Sequence, residues 1–168
     1  MHDRAGAQVS SALGVSTPAI EVDPALNFES LAISHRASYG ALDYLVCDEA
    51  QFYTDSQVEQ LARVVDEMDV DVYAFGLLTD FRGKLFPGSA RLLEIADQRH
   101  ELQVQARCWC GEPATHNARL HDGVQVYDGD VVLIDDGSTA KVTYELRCRN
   151  HWISGQAGPI ADRYKAAG

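Results

Sequence analysis

Residues 43 to 77 constrain the fold of this chain more than any other stretch. The run Tyr44-Leu45-Val46-Cys47 is apolar, holds a β-branched residue and stops at the adjacent carboxylates Asp48 and Glu49. That is the pattern of a buried parallel strand whose carboxyl end meets a site. After Ala50-Gln51-Phe52-Tyr53, Thr54 or Asp55 supplies a helix N-cap, and Val58, Leu61, Ala62, Val65 and Met68 recur at helical spacing. Such a stripe has to pack on a sheet, with Glu59, Arg63 and Glu67 left on the polar face. Val70 to Leu77 then reads as a second buried strand running into Gly76. Strand, helix and strand in that order predict a βαβ unit with parallel pairing and a right-handed crossover. Open α/β sheets bind ligands beyond the carboxyl ends of their strands. Burying two acids there without a cation or a hydrogen-bonding partner is costly, which favours chemistry at Asp48 and Glu49. The plainer alternative is that they only cap the following helix.

Ahead of this unit, a short helix is expected from Ala5 to Leu13 with Gly14 as its stop, then a strand from Ala19 to Val22. A helix capped by Asn27 follows, with Phe28, Leu31 and Ile33 as its weak apolar face and Gly40 as its end. Behind the unit, residues 79 to 89 read as a loop carrying Phe81, Phe86, Arg82 and Lys84. Aromatic rings in a loop at the carboxyl end of a strand either sandwich a planar ligand or cover the core. Ser89 is expected to cap a short helix through Leu92, Leu93 and Ile95, and Leu102 to Ala106 to form a strand.

From Cys108 the character changes. Cys108-Trp109-Cys110-Gly111 and Cys148-Arg149-Asn150-His151 are two close pairs of soft or borderline ligands, the composition of a tetrahedral Cys₃His zinc site. The first pair is Cys-x-Cys where Cys-x-x-Cys is usual, and buried structural thiols beside a surface histidine are the alternative. Val124 to Val126, Val131 to Ile134 and Val142 to Leu146 read as short strands around a turn at Asp135 to Ser138. An insert of this size gains from a metal staple. The expected organisation is an α/β core over 1–106, a zinc-ribbon-like module over 107–153 and a frayed tail over 154–168.

Composition removes other classes. With 14 Lys and Arg against 25 Asp and Glu, the formal net charge is -11, which argues against nucleic acid or an anionic membrane as partner. The first residues lack the basic and apolar regions of a signal peptide. A cytoplasmic protein with reduced or metal-bound cysteines is expected.

Several motifs in a fixed order resemble the type II thymidine kinase family, in its bacterial form. They are Asp48-Glu49-Ala50-Gln51-Phe52, Phe75-Gly76-Leu77 with Asp80-Phe81, Phe86-Pro87-Gly88-Ser89, Ala106-Arg107-Cys108-Trp109-Cys110-Gly111, and Tyr144 ahead of Cys148. His2-Asp3-Arg4 also resembles the family's segment after its second strand. The resemblance implies a P-loop-kinase-like parallel sheet flanked by helices, with a small zinc-stapled, β-rich lasso domain. It implies Glu49 as general base on a nucleoside 5′-hydroxyl, and Asp48, Glu49, Ala50 and Gln51 at the ATP and Mg²⁺ site. It further implies a thymine pocket of Phe52, Leu77, Phe81 and Phe86, closed by Val132, Leu133, Ile134 and Tyr144 of the lasso. Structural Zn²⁺ on Cys108, Cys110, Cys148 and His151, and a homotetramer, complete the expectation.

One departure stands out. The family's phosphate-binding loop, G-x-x-x-x-G-K-[ST], does not occur in these 168 residues, so the β- and γ-phosphates find no cradle within them. The expectation is a chain that starts after that segment. Residues 136 to 140 also look inserted relative to the family. Three readings follow: thymidine phosphorylation; a non-catalytic nucleoside-binding or zinc-ribbon interaction module that has lost the phosphate loop; and another ATPase using Asp48 and Glu49, which the missing loop disfavours equally.

Overall fold

The computed structural model describes residues 8–10, 14, 16–102, 106–131, 141–156 and 158. The chain divides into two compact units, Met1–Asp48 with Tyr53–Ala74, and Glu49–Phe52 with Phe75–Gly168.

In the first unit, strands β1 (Gln8–Ser10) and β2 (Ser16–Pro18) pair antiparallel. Gln8 to Ser10 are thus extended where the sequence suggested a helix from Ala5 to Leu13, and the strand expected at Ala19 to Val22 is absent. The left-handed Gly14, at φ 80, lies on the link between the two strands, and hairpin pairing has overridden weak local helix preference. Helix α1 (Phe28–Tyr39) starts as expected at Asn27, whose side chain accepts from the Ser30 N–H at 2.8 Å, and ends at Gly40. Helix α2 (Asp55–Met68) opens with a full capping box between Thr54 and Gln57. The Gln57 amide also donates to the Asp23 carbonyl at 2.7 Å, and the free Phe28 N–H at the start of α1 is taken by the Gln60 side chain at 2.9 Å. These bonds tie the two helix starts together.

The predicted βαβ unit is present: β3 (Tyr44–Cys47) and β4 (Asp71–Ala74) pair in parallel, with Leu45 opposite Val72 and Val46 opposite Tyr73. Ala32, Val64 and Val70 form the buried cluster, joined by Leu42, Leu45, Met68 and Val72. The buried face of α2 centres on Val58, Leu61 and Val64; Val64 was not part of the expected stripe, and the expected Ala62, Val65 and Met68 are only half-buried. Neither strand is buried on both faces, contrary to expectation. Tyr44 and Val46 are 60% and 63% exposed, because the pleat sends alternate residues away from the helices and the described residues cover only one face.

The second unit begins with a 3₁₀ turn, Ala50–Phe52. Helix α3 (Pro87–Ile95) has Phe86 at its N-cap and Pro87 in its first turn. Ser89, expected as the cap, lies inside the helix and donates its hydroxyl to the Leu77 carbonyl at 2.6 Å. The strand expected at 102 to 106 falls mostly outside the described residues, as do Val132, Leu133, Ile134 and most of the tail. A three-stranded antiparallel sheet has the order β6 (Val124–Val126), β5 (His116–His121), β7 (Val142–Arg147). Its central strand β5 and the short helix α4 (Arg149–Ser154) were not anticipated from sequence. Among the described residues, no helix is long and apolar enough to cross a membrane.

Candidate functional site

Glu49 opens the second unit with its backbone at φ 51, a left-handed conformation that costs a residue with a side chain about 1–3 kcal/mol and recurs at functional sites. The following turn fixes it there. The Phe52 N–H donates to the Glu49 carbonyl at 3.1 Å, and the Ala50 N–H to the Phe75 carbonyl at 2.9 Å. Gln51 is buried and bridges two segments: its Nε2 donates to Glu49 Oε2, and its Oε1 accepts from the Leu77 N–H at 3.1 Å. Gly76 makes that approach feasible. A Cβ there would stand 2.5 Å from Gln51 Oε1 and 3.0 Å from its backbone nitrogen. The result is a carboxylate oriented by a buried amide, a pre-set proton acceptor or cation ligand.

Asp48, the last residue of its stretch of the first unit, accepts at its backbone carbonyl from the Tyr53 hydroxyl at 3.4 Å. Beside it, burial pushes the Cys47 thiol up to about 11 despite a hydrogen bond with Tyr53, which favours the protonated thiol at neutral pH.

The loop after Leu77 is held by Asp80. Its Oδ1 accepts from the Arg82 and Lys84 N–H groups at 2.9 and 3.0 Å, and its Oδ2 meets the Arg82 guanidinium at 2.6 Å. The expected pocket aromatics form two groups. Phe52 stands edge-on to Phe86, centroids 5.5 Å apart, with Phe86 buried and Phe52 half-exposed. Phe81 and Tyr144 are joined by Arg119, a residue that sequence reasoning missed. The buried Arg119 guanidinium lies 3.7 Å over the Phe81 ring and donates to the Tyr144 hydroxyl at 2.9 Å. Its remaining donors reach the Asp130 and Val131 carbonyls at 2.6 and 2.7 Å. Leu77 is half-exposed.

Cys108, Cys110, Cys148 and His151 come together with all four candidate ligand atoms within 4.8 Å of one another. No cysteine is in a disulfide. The first knuckle turns at Gly111, φ 90, whose N–H donates to the Cys108 carbonyl at 2.8 Å. The second is the start of α4, where Cys148 is the N-cap. Cys110 Sγ and Cys148 Sγ are 3.9 Å apart, and His151 Nδ1 lies 3.3 and 3.4 Å from the Cys108 and Cys148 sulfurs. Tetrahedral zinc with ordinary bond lengths separates sulfurs by about 3.8 Å and sulfur from nitrogen by about 3.6 Å. The donor set therefore fits such an ion. Burial alone would raise the Cys108 thiol, but backbone N–H groups of Cys110 and Cys148, and the His151 and Cys110 side chains, bring it down to about 6. That favours the thiolate a metal requires.

A family model described as thymidine kinase matches residues 2–152. The thymidine kinase of Cutibacterium acnes is 50% identical over 163 residues, covering 96% of this chain and 76% of the relative. That of Streptomyces coelicolor is 51% identical over 152 residues, covering 89% and 70%. That of Ruegeria pomeroyi is 40% identical over 160 residues, covering 94% and 77%. Relatives so named are phosphotransferases, and the likeness runs through both units. The chain belongs to the thymidine kinase family.

Proposed function

We propose that this protein transfers the γ-phosphoryl group of ATP to the 5′-hydroxyl of thymidine, giving thymidine 5′-monophosphate and ADP in nucleotide salvage. The family match over residues 2–152 carries this reading. In it, the Glu49 carboxylate accepts the hydroxyl proton as the 5′-oxygen attacks phosphorus and the bond to the bridging oxygen of ADP breaks. The hydrogen bond from Gln51 supports that role by keeping the carboxylate aimed. Asp48 helps hold Mg²⁺, which neutralises phosphate charge, and Ala50 and Gln51 belong to the same cofactor-binding stretch. Phe52, Leu77, Phe81, Phe86 and Tyr144, with Val132, Leu133 and Ile134, surround the base. Cys108, Cys110, Cys148 and His151 hold a structural zinc ion, which staples the second knuckle to the first. A P-loop-kinase-like core over 1–106, a lasso domain over 107–153, a tetrameric assembly and a cytoplasmic setting complete the proposal.

Steady-state kinetics test the roles of the acids. In a chain that carries the family's phosphate-binding segment ahead of these residues, Glu49→Gln keeps shape but loses the base, and kcat is expected to fall by roughly 10²–10⁴ with little change in KM for thymidine. Asp48→Asn is expected to raise the Mg²⁺ requirement instead. A Glu49→Gln enzyme with near-normal kcat would overturn the assignment. Thymidine binding with no phosphoryl transfer in a chain that carries the phosphate-binding segment would favour a nucleoside-binding module.

A further inference from the structure

Helix α4 carries two neighbouring side chains that serve different groups. The His151 ring nitrogen faces the Cys108 and Cys148 sulfurs. Trp152 serves other partners: its Nε1–H is shared between the carbonyls of Phe81 and Asn117, each at 3.1 Å. Its indole also lies against the tip of the Phe81 loop, where a Cβ on Gly83 would stand 2.9 Å from Trp152 Cη2. The backbone of Trp152 is tied to one metal-ligand residue and to the stretch from Gln125 to Tyr127. Its N–H donates to the Cys148 carbonyl at 2.9 Å, and its carbonyl accepts from Gln125 at 3.0 Å and from the Tyr127 hydroxyl at 2.6 Å. The rings of His116 and Tyr127 pack on the indole at 4.9 and 5.5 Å.

We propose that Trp152 is a positioning residue that carries the geometry of the Cys108/Cys110/Cys148/His151 knuckle to Phe81, so that metal occupancy and nucleoside affinity are linked. The proposal rests on the reading that Phe81 borders the base. Phe81 is restrained on its ring by Arg119 and on its backbone by Trp152, and these restraints come from different elements. A helix as short as α4 has little stability of its own, so its orientation derives from what anchors its ends. A metal that fixes Cys148 and His151 fixes the origin from which the indole reaches the loop. Linkage then works both ways: the factor by which zinc strengthens thymidine binding is the factor by which thymidine strengthens zinc binding.

Two measurements test this. Amide hydrogen exchange over residues 79 to 85 is compared in zinc-loaded wild type, chelator-stripped wild type and zinc-loaded Trp152→Phe, which keeps a ring but loses the donor. Calorimetry gives the thymidine dissociation constant of the same three samples, with zinc content measured in each. Faster loop exchange and about tenfold weaker thymidine binding are expected in both perturbed samples, the size of one lost hydrogen bond whose acceptors stay buried. The variant is expected to keep its zinc. Loop exchange that ignores chelation, or a zinc-loaded Trp152→Phe protein with wild-type affinity, would overturn the proposal. The chelation arm needs no variant and so stands if Trp152→Phe fails to fold. A loop that responds while zinc-loaded wild type binds no thymidine supports the knuckle-to-loop connection alone and overturns both its link to nucleoside affinity and the reading of a thymidine site.

Discussion

At Gly76 a single missing methyl group governs the placement of a carboxylate. Gln51 can accept from Leu77 and donate to Glu49 only because nothing occupies the space beside its Oε1. Gly76→Ala would drive the amide aside, since the atoms it meets are the oxygen that accepts the Leu77 bond and a backbone nitrogen that cannot swing away. The expected cost is about 1–3 kcal/mol, from overpacking and from a buried N–H left without its acceptor. Urea denaturation would measure it. The substitution should also lower kcat more than it raises KM, because the released carboxylate still exists but is no longer aimed. A Gly76→Ala protein of unchanged stability would show that the turn has room to relax.

Among the elements, α2 is the one whose local chemistry most nearly specifies it. Thr54 accepts from the Gln57 N–H at 3.2 Å while the Gln57 side chain accepts from the Thr54 N–H at 3.0 Å. Thr54→Ala should cost about 1 kcal/mol, visible as a lower melting temperature. The same residues explain why this part was legible in the sequence: cap, stripe and flanking strands each carry their own signal and agree. β5 carries none. In His116-Asn117-Ala118-Arg119-Leu120-His121, polar residues stand where alternation would put apolar ones, and three consecutive residues, Ala118 to Leu120, are buried. Arg119 is tolerated inside because an aromatic face, a hydroxyl and two carbonyls receive it, partners that come from distant parts of the chain. No periodicity can announce such a site. α4 escaped for a related reason, being held by tertiary bonds through Cys148 and Trp152. β3 was located correctly and β4 lies within its expected span but stops at Ala74, short of Leu77; their one-sided burial was not foreseen, since apolar content alone does not tell how many faces are covered.

For the molecule as a whole, the two units draw on different sources of order. The first is organised by apolar packing of helices on a parallel strand pair, the second by polar contacts, stacked rings and a cluster of thiols and imidazole. Chelation should therefore act selectively. About one zinc per chain is expected by the four-ligand rule, and Cys148→Ser should lose it, with the antiparallel sheet loosening before the parallel pair. The chain has two tryptophans, and both flank the same histidine: the Trp109 ring stacks on His151 at 4.1 Å, and Trp152 follows it in sequence. Its intrinsic fluorescence thus originates from one place, with the first unit optically silent at tryptophan wavelengths. Stripping the metal from an otherwise unlabelled sample should change the emission intensity of Trp109 as the imidazole beside it changes state. The wavelength of Trp152 should shift with its packing against Gly83, giving the protein its own two-channel gauge of whether the knuckle is closed.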